Sequence, residues 1–131
     1  MRVYIASKYI DHRELNGIIY LELKKAGIDV FLPETINIDA LDLEDMHTVA
    51  EKCYYEMDQC DTFLFVYPFG KSVACEFGYA IALKRFCQKS IEIISLQYNH
   101  DGEAMYTPYI DKKIEKVYDL VNYLKCKRNR K

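Results

Sequence analysis

Residues 61–80 have the sequence DTFLFVYPFGKSVACEFGYA, in which a strand and a helix follow each other across a short turn. The apolar run at residues 62–67 has the length of a strand and no polar alternation, which is typical of a central parallel strand buried on both faces. Residues 68–71 break this run with a proline and a glycine. Ser72 is predicted as the N-cap of a helix over residues 73–85. The stretch therefore predicts one strand, turn and helix of a parallel sheet.

The flanking sequence repeats this alternation of strands and helices. Apolar runs and helical spacing predict strands at residues 3–6, 29–32 and 90–96, a helix at residues 11–26, and a second helix with the apolar stripe Met46, Val49, Ala50, Cys53, Tyr54, Met57 and Cys60. Beyond residue 108 the pattern fits either one helix or an edge strand at residues 113–117 before a helix at 119–125. We favour the second alternative, the edge strand followed by the helix.

No internal repeat or flexible linker divides the 131 residues, so we expect a single α/β domain. The predicted fold is a five-stranded, mainly parallel sheet with helices on both faces, flavodoxin-like or Rossmann-like, with the strand order 2-1-3-4-5. The domain is expected to span residues 1–125. Residues 126–131 are expected to form a solvated basic tail.

The charge distribution argues against a nucleic-acid-binding surface. Five of the last seven residues are basic, which leaves 13 basic and 20 acidic residues in the rest of the chain. Affinity for a phosphate backbone comes mainly from clustered lysine and arginine, and the body lacks such an excess. The sequence shows no membrane-spanning stretch and no signal peptide, so a cytoplasmic protein without a membrane partner is expected.

The five cysteines predict neither a disulfide framework nor a metal site, because they form no CxxC pair and no cluster with histidine. Cys53, Cys60 and Cys75 lie in apolar stretches and are interpreted as small buried hydrophobes. The stripe at residues 46–60 is likewise interpreted as core rather than as a cofactor site. The acidic segment at residues 34–45 is interpreted as a solvated loop with helix N-terminal charge, and no cofactor is implied.

In such a sheet, ligands bind beyond the carboxyl ends of the strands, where the loops at residues 6–9 and 68–72 are expected to meet. Glu76 is predicted to lie one turn into the helix after the central strand. There the helix dipole would favour its ionised form, as a nucleophile or electrostatic stabiliser needs. On spacing alone, the commoner explanation of Glu76 is an acid that merely occupies the first turn of a helix, where acidic residues are enriched.

The string Glu76-Phe77-Gly78-Tyr79-Ala80, with Asp61 opening the strand and residues 3–7 reading VYIAS, resembles the nucleoside 2-deoxyribosyltransferase family and its nucleotide N-glycosidase relatives. The resemblance extends from Arg2 to Leu96. It implies that Glu76 is a nucleophile that attacks the anomeric carbon and that Tyr4 orients its carboxylate. Residues that would bind the sugar or a phosphate are Ser7, Lys8, Gly70, Lys71 and Ser72. Asp61 would lie at the pocket floor or simply begin its strand.

The sequence departs from the family pattern at two places. Cys53 stands where the family has an aspartate that acts on the base, and Phe69-Gly70-Lys71 replaces an acidic turn. The acid that protonates the leaving base is therefore unassigned. Lys71 suggests a phosphate or another anion in place of a neutral sugar hydroxyl, and the alternative is a solvated lysine in the turn.

The resemblance predicts cleavage of the N-glycosidic bond of a nucleoside or nucleotide, with 2-deoxyribosyl transfer to another base or hydrolysis. The alternative is a non-catalytic module that binds a nucleotide or metabolite. The small-molecule substrate is the expected partner, in a homo-oligomer whose neighbouring chain helps to close each pocket.

Overall fold

The computed structural model describes residues 1–36, 42–99 and 102–130. It contains the strands β1 (Arg2–Ala6), β2 (Asp29–Phe31), β3 (Thr62–Val66), β4 (Glu92–Leu96) and β5 (Lys112–Ile114). The helices are α1 (Tyr9–Lys25), α2 (Leu43–Gln59), α3 (Lys71–Phe86) and α4 (Val117–Asn129). Two single 3₁₀ turns, Pro33–Thr35 and Thr107–Tyr109, lie in the connections.

The strands form one sheet in the order β2-β1-β3-β4-β5, and every pairing is parallel. The predicted fold class and strand order are thus confirmed. β3 lies at the centre of the sheet, and all five of its residues are buried. Its unbroken apolar sequence follows from this position, since helices cover the sheet on both faces.

The two faces of the sheet carry two different cores. Helices α1 and α4 cover an aliphatic face, where Ile19, Leu23, Leu120 and Leu124 meet Val3, Ile5 and Leu64. Helices α2 and α3 cover an aromatic face, where Met57, Phe77 and Ala80 meet Tyr4, Phe63 and Phe65. The side chains of one strand alternate between the faces, so β1 sends Tyr4 to the aromatic core and its neighbours to the aliphatic one.

Helix α3 begins two residues earlier than the sequence indicated. Gly70, in extended conformation, is its N-cap, and Ser72 is already the second helical residue. Ala74 N donates to Gly70 O over 3.0 Å, which closes the first turn without a side-chain cap. The prediction of Ser72 as N-cap was wrong because the turn after β3 is short and the helix starts directly behind Gly70.

The acidic segment divides into a helix start and residues outside the described ranges. Asp42 is the N-cap of α2, and its Oδ1 accepts a hydrogen bond from Asp45 N over 2.8 Å. Glu44 and Asp45 occupy the first turn, where carboxylates stabilise the positive end of the helix dipole. Asp39 and its neighbours at residues 37–41, part of the predicted solvated loop, lie outside the described residues, as do residues 100–101 of the loop before residue 108.

At the carboxyl end of the chain, a strand followed by a helix is present, as favoured over a single long helix. The helix, however, runs to Asn129, so the expected start of a basic tail at residue 126 falls inside α4. The reason is a specific anchor: Lys127 Nζ donates to Thr62 Oγ1 over 2.8 Å and pairs with Glu92 Oε1 at 3.0 Å. Lys131 lies outside the described residues.

Replacing Lys127 by alanine is expected to lower the free energy of unfolding by about 1 kcal/mol, because a half-buried ion pair and a hydrogen bond to the buried Thr62 are lost together. Thermal unfolding followed by circular dichroism measures this loss. Lys125→Ala, an exposed lysine on the same helix, is the matched control. Equal melting temperatures for the two variants would show that the anchor is energetically neutral.

Candidate active site

A cavity of about 380 Å³ lies beyond the carboxyl ends of β1, β2 and β3. Its walls come from the segments that follow these three strands and from α2. The lining residues are Ser7, Tyr9, Pro33, Glu34, Met46, Val49, Ala50, Cys53, Tyr54, Ser72, Cys75 and Glu76. This is the edge of a doubly wound sheet at which ligands bind, and the volume falls in the range of small-molecule sites.

Glu76 reaches this cavity from the second turn of α3, and its carboxylate is held by a hydrogen bond from the sheet. The hydroxyl of Tyr4, on β1, donates a hydrogen bond to Glu76 Oε2. Tyr4 is fully buried, whereas Glu76 retains partial exposure toward the cavity. The carboxylate therefore has one side fixed by protein and another side available to a ligand, as the resemblance implied for this pair.

The position of Tyr4 is fixed by the register of three neighbouring strands. Tyr4 lies opposite Phe31 on β2 and opposite Phe63 on β3. Its ring stacks on both, with centroid distances of 5.5 Å to Phe31 and 5.8 Å to Phe63. A ring clamped in this way loses little further freedom when a ligand arrives, so the direction of its hydroxyl is set by the fold.

Burial decides the ionisation of Glu76. It raises the pKa of the carboxyl group to about 7, although the hydrogen bond from Tyr4 works in the opposite direction. The pKa of Tyr4 is raised in turn, by its own burial and by the adjacent carboxylate. This direction is opposite to the one expected from the helix dipole; Glu76 lies in the second turn of α3, beyond the first turn in which the dipole acts.

Two further residues of the predicted site, Ser7 and Ser72, line the cavity with Glu76. Lys8, Gly70 and Lys71 lie at the same edge of the sheet but are not part of the cavity wall. The Lys8 ammonium pairs with Asp11 at 3.1 Å, and a Cβ at Gly70 would meet the aliphatic part of Lys8 at 3.6 Å. These two segments thus touch each other beside the cavity.

Asp61 lies at the amino ends of the strands, opposite the end at which the cavity lies. It precedes β3 at its amino end, where its Oδ1 accepts hydrogen bonds from Thr62 Oγ1 over 3.0 Å and from Arg2 N over 3.4 Å. The cavity is at the carboxyl end, a full strand length away. Of the two interpretations of Asp61, pocket floor or strand beginning, the structure supports the second.

The stripe of α2 serves two purposes instead of the one predicted. Met57 and Cys60 are buried in the aromatic core, as expected. The first half of the stripe, Met46, Val49, Ala50, Cys53 and Tyr54, instead forms a wall of the cavity. The reason is the direction of α2, which begins at the carboxyl edge of the sheet, so its first turns lie over the cavity.

The interpretation of three cysteines as buried hydrophobes holds only for Cys60. Cys53 is half-buried and Cys75 is exposed, and both line the cavity. The Cys53 thiol lies against the Tyr4 hydroxyl, and its pKa is raised by burial. Cys75 Sγ and Tyr54 OH are 3.5 Å apart. These thiols belong to the wall of the site rather than to the core.

Glu34 was not predicted as part of the site. It stood in the acidic segment interpreted as solvated, yet it lines the cavity and is joined to the buried Asn16. The sequence feature that could have identified Glu34 is its position just after a strand, because ligands bind beyond the carboxyl ends of parallel strands.

The described residues contain no cluster of three or more His, Cys, Asp or Glu that could hold a metal ion. Nor does any helix in these ranges have the length and apolar character needed to cross a membrane. The cavity wall offers a ligand carboxyl, hydroxyl, thiol and apolar side chains.

No family model and no curated protein matches the chain by sequence. Solved structures are similar to it, among them the 2-deoxyribosyltransferase from Bacillus psychrosaccharolyticus, with a TM-score of 0.75 at 17% identity over 94% of this chain and 92% of that one. A conserved protein from Enterococcus faecalis V583 gives 0.72 at 17% identity, over 97% and 98% of the two chains. The CMP N-glycosidase BcmB from Clostridium botulinum gives 0.57 at 20% identity, over 96% and 98%. The expected likeness to deoxyribosyltransferase and nucleotide N-glycosidase structures is thus confirmed at the level of the fold, over most of the chain.

Proposed function

We propose that this protein cleaves the N-glycosidic bond of a nucleoside or nucleotide, with Glu76 as the nucleophile. The observation that carries the proposal is the Tyr4–Glu76 hydrogen bond at the wall of a cavity beyond the carboxyl ends of three parallel strands. A carboxylate fixed on a helix, with one side toward a concave site, is suited to meet positive charge that develops on a sugar. The fold shared with a deoxyribosyltransferase and a CMP N-glycosidase supports the same chemistry.

In the first step a Glu76 oxygen attacks the anomeric carbon while the bond to the base breaks. The sugar passes through a cationic transition state, which the nearby carboxylate stabilises before it forms an ester with the sugar. Tyr4 holds the second carboxylate oxygen during the attack. The departing base takes the electron pair of the broken bond and needs a proton to leave as a neutral molecule.

In the second step an acceptor attacks the glycosyl ester and releases Glu76. A second base as acceptor gives transfer, and water gives hydrolysis. Transfer requires that the cavity exclude water while the intermediate waits. Lys71, the first residue of α3, carries positive charge at the amino end of this helix, which favours a substrate with a phosphate group. We therefore place the nucleotide first among candidate substrates.

A second candidate function is a non-catalytic module that binds a nucleotide in the same cavity. It is favoured by Cys53, which stands where an aspartate would act on the base, because a thiol with a raised pKa is a poor proton donor. Self-association, with a neighbouring chain that closes the pocket, stays a prediction in either case.

Incubation with 2′-deoxynucleosides, ribonucleosides and their 5′-monophosphates, followed by chromatography, tests the proposal. Release of free base from any of these supports an N-glycosidic activity. Addition of a second base distinguishes transfer from hydrolysis, because only transfer forms a new nucleoside or nucleotide. Tight binding in a thermal-shift assay without base release would instead support the binding module.

Replacing Tyr4 by phenylalanine is expected to lower kcat for base release by about tenfold, because the carboxylate loses an orienting hydrogen bond but keeps its charge. The same loss should move the acidic limb of the pH profile upward, since that hydrogen bond lowers the pKa of Glu76. Tyr118→Phe, on the exposed surface of α4, is the control. An unchanged pH profile in Tyr4→Phe would contradict the positioning role.

A further inference from the structure

A second carboxyl group, that of Glu34, lies at the wall of the same cavity as Glu76. Glu34 belongs to the 3₁₀ turn that follows β2. Three hydrogen bonds fix this turn: Thr35 N to Leu32 O over 2.9 Å, Thr35 Oγ1 to Leu32 O over 2.7 Å, and Ile36 N to Pro33 O over 3.0 Å. The backbone that carries Glu34 is therefore held by hydrogen bonds within its own turn.

Glu34 is also held by its side chain. Nδ2 of Asn16, on α1, donates a hydrogen bond to Glu34 Oε1. Asn16 is fully buried, and its Oδ1 has no hydrogen-bond partner among the described residues. A buried amide that is only partly satisfied costs free energy, so packing alone does not explain it. Its one visible effect is to occupy Oε1 of Glu34, so that Oε2 is the oxygen that could exchange a proton with a ligand.

The sheet separates the two segments that carry these carboxyl groups. Glu34 follows β2 and Glu76 follows β3, with β1 between these two strands. The backbones of β2 and β3 are two strand spacings apart, about 10 Å. One side chain can thus face the sugar while the other faces the base. Apolar residues on the wall from α2 (Met46, Val49 and Ala50) and Pro33 beside Glu34 offer a surface for a flat ring.

We propose that Glu34 is the general acid that protonates the leaving base, with Asn16 as the residue that positions it. This inference rests on the proposed function of Glu76 as nucleophile. It fills the role for which the sequence offered no candidate, since the expected position is occupied by Cys53.

The step balances in atoms and charge. As an oxygen of ionised Glu76 bonds to the anomeric carbon, the bond to the base breaks and its electron pair stays on the base. The proton on Glu34 Oε2 moves to a ring nitrogen of the base, which departs neutral. Glu76 is then an uncharged ester and Glu34 a carboxylate. In the second step Glu34 takes a proton from the attacking water or base, and Glu76 is released as a carboxylate.

The environment of Glu34 suits a proton donor. Burial raises its pKa, although the hydrogen bond from Asn16 and the charge of Arg13 act in the opposite direction. The titratable groups that surround it are Arg13 and Tyr9 from α1, Cys53 and Tyr54 from α2, and Cys75 and Glu76 from α3. In the transition state, the positive charge that develops on the sugar favours the ionised form of Glu76. The nitrogen of the departing base becomes more basic as its bond to the sugar breaks, and it takes the proton of Glu34.

The test compares two leaving groups in wild type and Glu34→Gln. One is the base of a nucleoside or 5′-monophosphate that wild type cleaves, and the other is p-nitrophenolate from p-nitrophenyl 2-deoxyribofuranoside, which leaves without a proton. In the first turnover, before the shared second step, Glu34→Gln is expected to release the natural base about a hundredfold more slowly and p-nitrophenolate at a nearly unchanged rate. Glu51→Gln, on the exposed side of α2, is the matched control and should leave both rates unchanged.

A second readout is the pH profile of natural-base release. In wild type kcat/KM should fall at high pH as Glu34 loses its proton, and in Glu34→Gln this limb should disappear. Glu34→Asp, which keeps the acid, should restore part of the activity. Equal losses of the first-turnover rate for both leaving groups, or a full rate of natural-base release in Glu34→Gln, would overturn the role of Glu34 while leaving Glu76 in place. A wild type that cleaves neither substrate would overturn the proposed function and this inference with it.

Discussion

Glu76→Gln is expected to lower the rate of base release by about a thousandfold or more, as the loss of a nucleophile generally does. Glutamine keeps the shape of the side chain and can still accept the hydrogen bond from Tyr4. It lacks the negative charge that stabilises the sugar cation and the oxygen that forms the ester. The loss should therefore fall on kcat for every leaving group, including one that departs without a proton.

The covalent intermediate gives an independent measurement. A substrate analogue with fluorine at the sugar 2-position has an electron-poor sugar, which slows turnover of the intermediate. Mass spectrometry after digestion should then find a sugar adduct on the peptide that contains Glu76 in wild type and no adduct in Glu76→Gln. An adduct on Cys53 or Cys75, the thiols of the same cavity, or near-normal base release by Glu76→Gln, would contradict the assignment.

The fold was predictable because its signals are local and strong. The apolar run of β3 has one simple explanation, a strand buried on both faces, and the structure buries all five of its residues. Once the elements alternate, right-handed crossovers leave few possible strand orders. The boundaries were less predictable. The start of α3 at Lys71 depends on the small number of residues in the turn after β3. The end of α4 depends on the hydrogen bond from Lys127 to Thr62, two residues that are far apart in the sequence.

The candidate site was predictable only in part. Glu76 and Tyr4 stood out through a resemblance of short strings, and the structure joins them by a hydrogen bond. Glu34 and Asn16 were missed because their pairing connects α1 to the turn after β2, a contact that neither local sequence shows. The residues of α2 were misassigned for a different reason: an apolar stripe looks the same whether it faces a core or a cavity.

The stability of the protein is expected to fall as the pH rises from about 4.5 to about 7, with Glu76 as one cause. The pKa of this carboxyl group is raised from 4.5 to about 7 by burial in the folded protein. Between these values the folded protein holds a proton that the unfolded chain has released. The resulting stabilisation is fully present below pH 4.5 and is lost as the pH rises through 7.

Glu76→Gln removes this dependence, because an amide does not ionise. At about pH 8.5 the variant should therefore be more stable than wild type by about 2 kcal/mol, or roughly 5 to 10 °C in Tm, and the gap should narrow toward about pH 5. Differential scanning calorimetry across this range measures both curves. With p-nitrophenyl 2-deoxyribofuranoside, whose leaving group needs no proton, wild-type kcat/KM should rise over the same interval as Glu76 ionises, so the activity gained and the stability lost with rising pH have a common midpoint near 7.

The matched control is Glu51→Gln, which removes an exposed carboxylate from α2 and should follow the wild-type stability curve at every pH. A Glu76→Gln variant that is less stable than wild type at high pH would mean that the carboxylate stabilises the fold. Glu76 would then be a structural anchor for Tyr4 rather than a charge that the fold holds at a cost in stability for use in catalysis.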